Sequence, residues 1–175
     1  MRHYLPDRTI ITGSFSKILA PGMRLGWICA PPAIMEQVII AKQASDLHSN
    51  YLSQRIACRY LEDNDIGARI NMIRSAYKTQ CDLMVRMLRE KFPSTISYTI
   101  PEGGMFVWVT LPQGCSSMAV FEKALKENVA VLPGFPFYVD GGGKDTLRLN
   151  FSNATPENIV EGMSRLAQVV GSLCG

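Results

Sequence analysis

The sequence predicts an α/β protein, and three patterns carry that prediction. Two short apolar runs near the N-terminus, the first of them rich in β-branched residues, are typical of strands joined by a loop. A long stripe of apolar residues at helical spacing follows, and short strands alternate with amphipathic helices after Pro93. Since 47% of the residues are hydrophobic and 19% are charged, the chain can also form a globular core.

The first third of the chain contains the two strands and two helices. The strands are the runs TIITGSF (9–15) and RLGWICAP (24–31), and we expect both to be buried. Pro32 can occupy the first turn of a helix over about 32–44. A second helix is predicted over about 51–62. The residues expected on or near its buried side are Leu52, Ile56, Cys58 and Tyr60.

One longer helix follows, because apolar residues recur every three or four positions up to a proline. It is predicted to end before Pro93, since a proline disfavours helical backbone in the residue that precedes it. A helix of this length often connects two domains. The stripe consists of Ile66, Ile70, Ile73, Tyr77, Cys81, Met84 and Leu88.

Beyond Pro93 the pattern predicts a compact α+β unit. The runs TISYTIP and GMFVWVTLP flank Glu102-Gly103-Gly104 and form a hairpin candidate. Ser116 or Ser117 can cap a helix that continues to about Asn128. The runs VAVLPG and TLRLNFS are short strands, and Thr155-Pro156 begins the last helix.

Charge and cysteine usage exclude several classes of protein. Eighteen basic residues against 15 acidic ones, without a basic run, argue against nucleic-acid binding. No apolar run approaches the length of a membrane span, and the first residues, MRHYLPDR, do not resemble a signal peptide. The cysteines are odd in number and widely spaced, so we expect reduced thiols, no metal site and a cytoplasmic protein. They are Cys29, Cys58, Cys81, Cys115 and Cys174.

The segment GSFSKILAPGMR contains the side chains that most clearly indicate a ligand-binding site. Ser14, Ser16 and Lys17 follow a strand end, and Arg24 returns at the start of the next strand. Hydroxyls and a guanidinium are suitable ligands for a phosphate monoester. A neutral lysine amine beside such a site can bind an aldehyde covalently. The pattern therefore favours a phosphate-bearing aldehyde as the ligand.

Each of these residues also has an ordinary interpretation. A single lysine such as Lys17 is most often a solvated surface charge, and Arg24 could be an ion-pair partner. Arg148 alternates with apolar neighbours, so it could simply occupy the solvent face of a half-buried strand.

Four motifs, in order along the chain, carry a family resemblance. The segment GSFSKILAPGMRLGWICAPP resembles the cofactor-lysine segment of fold-type I pyridoxal-phosphate aminotransferases. The runs IPEGGMFVWVTLP, VAVLPGFPFY and LRLNFSNATPENIVEGMSRLAQVV are similar to later parts of the same enzymes. The similarity is greatest to the branch with aminoadipate and kynurenine aminotransferases and with the aminotransferase-like domains of certain bacterial regulators.

The resemblance implies a role for each matching residue. Lys17 would form the Schiff base with pyridoxal 5′-phosphate, while Ser14, Ser16 and Arg24 would hold the cofactor's phosphate. Arg148 would dock the α-carboxylate of the substrate. The implied reaction transfers an amino group between an amino acid and a 2-oxo acid, and the implied assembly is a homodimer.

The match also predicts how the chain divides. Residues 1–62 would be a remnant of the large cofactor-binding domain, 63–92 the bridging helix, and 93–175 the complete small domain. Because the cofactor lysine lies at position 17, we expect a C-terminal portion of a longer enzyme. The elements expected upstream include the aspartate that pairs with the pyridine nitrogen, so the chain alone should be weakly active or inactive.

Two alternatives remain open at this point. The chain could come from a transcriptional regulator whose aminotransferase-like domain senses a ligand. It could instead be a non-catalytic module that binds a larger partner through its unpaired strands and long helix.

Overall fold

The computed structural model describes residues 5–174, so the first four residues of MRHYLPDR lie outside the described chain. The predicted α/β class is confirmed, with helices and two separate sheets along the chain. Two compact units are present, Met1–Ile73 and Arg74–Gly175. The predicted three-part domain division stays a prediction.

The first unit begins with an antiparallel ribbon of two strands. Strand β1 (Ile11–Ser14) pairs with β2 (Gly26–Cys29), with Gly13 opposite Trp27. The strands form where the sequence predicts them, but the expected burial is wrong, because Ile28 and Trp27 are 37% and 45% exposed. A β-branched run favours extended backbone, whereas burial needs a covering layer, and the described part of this unit does not supply one over the ribbon.

Two helices follow, at the predicted positions. Helix α1 spans Pro32–Ser45 and α2 spans Tyr51–Asp63. The Asn50 side chain caps α2 by accepting a hydrogen bond from the backbone N–H of Ser53 at 2.9 Å. The predicted buried side of α2 is wrong. Leu52, Ile56 and Cys58 are exposed, Tyr60 is half-buried, and Ala57 is the buried residue.

Helix α3 (Ile66–Lys91) is the predicted long helix. Asp65 fixes its start, since the Asp65 carboxylate accepts backbone hydrogen bonds from Gly67 at 2.8 Å and Ala68 at 3.2 Å. The predicted stripe is half-buried at first and fully buried near the C-terminal end. The buried residues there are Met84, Val85, Met87 and Leu88.

The second unit is built on a four-stranded antiparallel sheet in the order β3-β4-β6-β5. The hairpin of β3 (Ser97–Tyr98) and β4 (Phe106–Thr110) confirms the predicted turn, while β5 (Leu132–Pro133) and β6 (Thr146–Asn150) complete the sheet. Helices α4 (Ser117–Lys126) and α5 (Pro156–Cys174) also form as predicted, the first capped by Ser116.

Alternation along β4 and β6 gives the sheet one apolar, buried face and an opposite face that carries Trp108 and Arg148. Val107, Val109, Leu147 and Leu149 are almost fully buried in a core that also contains apolar residues of α4 and α5. Cross-strand partners point to the same face of a sheet, so Trp108 and Arg148 share the opposite one.

The expectation of five reduced cysteines is wrong. Cys115 and Cys174 are joined by a disulfide with their Cα atoms 5.5 Å apart. Spacing along the chain could not reveal this pair, because 59 positions separate the two residues and the fold brings them together. Among residues 5–174, no helix combines the length and apolar character that a membrane span requires.

Candidate functional site

The loop between β1 and β2 places the predicted lysine and arginine in one closed segment. Beyond the last ladder pair, the backbone N–H of Phe15 donates to the carbonyl of Leu25 at 3.1 Å, which closes the base of the loop. Inside it, the N–H of Leu19 donates to the carbonyl of Phe15 at 2.8 Å and forms a single helical turn around Lys17. Lys17 and Arg24 therefore belong to one loop at the end of the ribbon.

The two serines shape the start of this loop. The Ser14 hydroxyl accepts a hydrogen bond from the backbone N–H of Ser16 at 3.1 Å, a local bond typical of a serine turn. The Ser14 oxygen accepts in this bond, so its hydroxyl hydrogen can still be donated to a ligand. Ser14 and Lys17 are exposed and Ser16 is half-buried. The donors that the sequence singles out are accessible at the end of the ribbon.

Arg24 has a left-handed backbone, with φ 53° and ψ 37°. Its N–H donates to the carbonyl of Pro21 at 3.3 Å and ends the short 3-10 turn Pro21–Met23. This conformation costs a residue with a Cβ about 1–2 kcal/mol. Such strain persists where the surrounding structure requires it, and functional loops are frequent sites of it.

Arg69, in the first turn of α3, holds the lysine turn from the side. Its Nε donates to the carbonyl of Ile18 at 3.1 Å, and its Nη2 donates to the carbonyl of Leu19 at 3.2 Å. The Arg69 guanidinium carbon also lies 5.9 Å from the centre of the Tyr60 ring. Sequence reasoning missed Arg69, since 50 residues separate it from Leu19.

Gly13 and Trp27 form the cross-strand pair next to Ser14. The Trp27 indole lies over Gly13, and a Cβ added to Gly13 would overlap the indole ring. Glycine is thus needed at position 13 for a close approach, while its φ is unremarkable.

A second candidate site, in the other unit, is centred on Arg148. Its guanidinium carbon lies 4.2 Å from the ring centre of Phe106 and 4.2 Å from that of Phe137. Both distances are within the range of cation–π attraction. The Arg148 Nε is buried, and among residues 5–174 it has no hydrogen-bond partner. A buried charged donor without a partner is costly, so this atom is ready to bind an anion.

A tight turn brings Phe137 to Arg148. The N–H of Gly134 donates to the carbonyl of Thr146 at 2.7 Å, and a Cβ at Gly134 would collide with Thr146 and Trp108. Trp108 in turn makes an edge contact with Phe137, with ring centres 5.9 Å apart. The contacts of Phe106 and Phe137 with Arg148 were not predicted from the sequence. Phe106 alternates with two buried valines, which could have indicated the same face as Arg148.

The structure thus groups four of the five predicted site residues on one loop of the first unit: Ser14, Ser16, Lys17 and Arg24. Arg148 lies in the second unit. Their individual roles stay predictions.

Comparison with known proteins decides the family. The sequence profile of "Aminotransferase class I and II" matches residues 2–166, nearly the whole chain. The chain belongs to the aminotransferase class I and II family. The resemblance predicted from the four motifs is confirmed, including its aminoadipate branch.

Two of the most similar proteins support this aminotransferase assignment. The chain is 45% identical to aromatic-amino-acid aminotransferase 1 of Thermococcus litoralis over 93% of its own length. It superimposes with a TM-score of 0.94 on LysN, the alpha-aminoadipate aminotransferase of Thermus thermophilus, at 38% identity and over 98% of its own length. That structure is complexed with N-(5′-phosphopyridoxyl)-L-leucine. The fold is therefore part of the pyridoxal-phosphate transferase fold.

The chain spans less than half of the length of these two relatives. The chain spans 39% of the Thermococcus enzyme and 44% of the LysN chain. It is also 28% identical, over 92% of its length, to the HTH-type transcriptional regulator YdfD of Bacillus subtilis, of which it spans 33%.

Proposed function

We propose that the chain contributes a cofactor loop and a carboxylate site to a pyridoxal-phosphate-dependent aminotransferase that converts an amino acid and a 2-oxo acid. The observation that supports the proposal is the hydrogen-bonded segment at the end of the ribbon, which runs from Ser14 to Leu25 and carries Ser14, Ser16, Lys17 and Arg24. Two hydroxyl donors, a guanidinium and an exposed amine fit a ligand that has both a phosphate and an aldehyde.

Each residue of the loop has a distinct role in this proposal. Ser14, Ser16 and Arg24 bind the phosphate, and the Lys17 amine binds the aldehyde covalently. Pyridoxal phosphate, when bound, supplies the electron-withdrawing ring that makes the substrate's Cα proton acidic. Lys17 takes that proton and returns it, as a general base and acid.

Arg148 binds the substrate's α-carboxylate in this proposal. The buried, unpaired Nε supports that role, since a carboxylate would provide the missing acceptor. The flanking rings of Phe106 and Phe137 restrict the guanidinium plane and reduce its contact with water. Arginine suits this place better than lysine, because its planar fork can make two parallel bonds to a carboxylate.

Covalent trapping tests the role of Lys17. The chain is mixed with pyridoxal phosphate, reduced with borohydride and digested, and the modified lysine is identified by mass spectrometry. We expect the label on Lys17 in the unaltered chain and its loss in Lys17→Ala. Lys91→Ala changes an exposed lysine at the end of α3, so the labelling of Lys17 should be the same as in the unaltered chain. Label spread evenly over the surface lysines would refute the proposal.

The affinity of the chain for a substrate amino acid tests the role of Arg148. Arg148→Lys should weaken binding of an amino acid by about tenfold or more, because the bidentate, charge-assisted contact is lost. Arg165→Lys is the matched control, since Arg165 is an arginine of α5 that pairs with Glu161 at 2.8 Å. Equal affinities for all three proteins, measured by calorimetry, would assign the carboxylate to another residue.

Assembly and compartment complete the proposal: a homodimer in the cytoplasm. Support for the dimer comes from large apolar side chains that are exposed around α1 and α2, including Ile40, Leu47 and Leu52 at 59–68%. Light scattering tests the dimer. Cell fractionation tests the compartment, with thiols alkylated before lysis to show whether Cys115 and Cys174 are paired in the cell.

A further inference from the structure

We propose that Arg69 is a positioning residue for Lys17: its guanidinium holds the carbonyls of Ile18 and Leu19 and so fixes the turn that presents the lysine amine. The inference rests on the proposed function, in which the Lys17 amine binds the cofactor. The contacts themselves are properties of the first unit alone.

The turn around Lys17 needs support from outside. One backbone hydrogen bond, from Leu19 to Phe15, closes it. A single isolated helical turn is unstable, because fixing its backbone costs more entropy than one hydrogen bond returns. The carbonyls at the end of such a turn also lack partners within it. Arg69 supplies a charged donor to two of those carbonyls, at residues 18 and 19.

The location of Arg69 is otherwise unfavourable. A cation in the first turn of a helix faces the positive end of the helix dipole, which destabilises the helix. The Asp65 cap counteracts this, because its carboxylate binds the N–H groups of Gly67 and Ala68. That cap also sets where α3 starts and thereby which way the first turn presents Arg69. A contact of Arg69 with the lysine loop explains why a cation lies at this unfavourable position and why the Asp65 cap is found beside it.

Held in this way, the turn keeps Lys17 in one backbone conformation before any ligand binds. Preorganisation lowers the entropy that must be lost when a ligand is bound. Loss of the Arg69 contacts should therefore loosen the turn first, and weaken cofactor binding as a consequence, without disturbing the core of the second unit.

Hydrogen exchange of the cofactor-free chain tests the structural part. Arg69→Gln should raise the exchange rate of the Leu19 amide about tenfold or more, since hydrogen bonds to a charged donor are among the stronger ones. Arg69→Lys, which keeps the charge, should show a smaller increase. Arg86→Gln, a change to an exposed arginine on the same helix, should leave the rate unchanged. Exchange of Val109 and Leu149 serves as the check that the second unit stays folded.

Cofactor binding tests the consequence. Arg69→Gln should weaken pyridoxal phosphate binding about tenfold and reduce borohydride trapping at Lys17, with partial rescue in Arg69→Lys. Unchanged Leu19 exchange in Arg69→Gln would overturn the proposal. Faster exchange with unaltered cofactor affinity would overturn it as well, because the turn would then not position the lysine. If the unaltered chain binds no pyridoxal phosphate, the proposed function fails, while the exchange result still decides whether Arg69 holds the turn.

Discussion

Two arginines, Arg24 and Arg148, adopt arrangements that cost free energy. Arg24 has a left-handed backbone, and Arg148 has a buried Nε without a partner among residues 5–174. Neither cost is offset by a contact of the residue's own side chain with an acidic group in the described chain. Both are understandable if an anion binds to each guanidinium.

Arg24→Gly should separate the stability of the loop from its binding of phosphate. Glycine adopts a positive φ without strain but loses more entropy on folding, so the free energy of unfolding should change by less than about 1 kcal/mol. Pyridoxal phosphate affinity should fall at least tenfold with loss of the charged fork. Urea denaturation and a cofactor titration measure the two quantities.

Leu47→Gly is the matched control, since Leu47 has φ 63° and lies in the same unit outside the loop. It should relieve backbone strain without affecting the cofactor. A loss of cofactor affinity in Leu47→Gly comparable to that in Arg24→Gly would contradict a specific phosphate contact.

Sequence predicted some residues of the sites and could not predict others. Ser14, Ser16, Lys17 and Arg24 are recognisable because they lie within 11 positions and one loop. The contact of Arg69 with Leu19, and that of Phe137 with Arg148, join distant parts of the chain. Such contacts depend on packing, and a single sequence records no signal for them.

At the scale of elements, the positions of the helices and strands were predictable from the sequence, whereas the burial of their side chains was not. Helices α1, α2 and α3 begin or end close to the predicted residues, because capping groups and prolines act locally. The burial of α2 was predicted wrongly, since periodicity identifies a face of a helix without identifying what covers it. The exposed ribbon β1-β2 illustrates the same limit.

The ribbon offers an element-scale prediction at Gly13 and Trp27. Gly13→Ala should lower the free energy of unfolding by about 1–3 kcal/mol, because the new Cβ overlaps the indole. In a Trp27→Ala background the same change should cost much less, so the two substitutions should be strongly non-additive. Far-UV circular dichroism during urea denaturation gives the free energy of unfolding of the unaltered chain, the two single variants and the double variant.

Gly22→Ala is the control for this cycle, since a Cβ at Gly22 meets open space. Its effect on the free energy of unfolding should be small and independent of Trp27. Additive effects of Gly13→Ala and Trp27→Ala would show that the pair is not in contact in solution.

At the scale of the molecule, the second unit carries a covalent link between distant positions. The disulfide joins Cys115 to Cys174, 59 positions further along the chain, and the loop that it closes contains all of α4, β5, β6 and α5. Its reduction should lower the free energy of unfolding by up to about 4 kcal/mol, because the unfolded chain gains freedom. Urea denaturation with and without dithiothreitol measures the difference.

Cys81→Ser provides the comparison, since Cys81 forms no disulfide. Its variant should respond to dithiothreitol like the unaltered protein, whereas Cys115→Ser should no longer respond. An unaltered protein that is insensitive to dithiothreitol would contradict the disulfide.

The placement of the two tryptophans has a practical consequence for spectroscopy. Trp27 covers Gly13 beside the lysine loop, and Trp108 lies on the face of Arg148. Each compact unit therefore carries one tryptophan, next to its own candidate site. Changing one indole to phenylalanine leaves an emission that reports a single unit. Quenching of Trp27 alone would mark occupation of the loop, and quenching of Trp108 alone would mark arrival of the carboxylate, so the order of the two binding events could be timed without an added label.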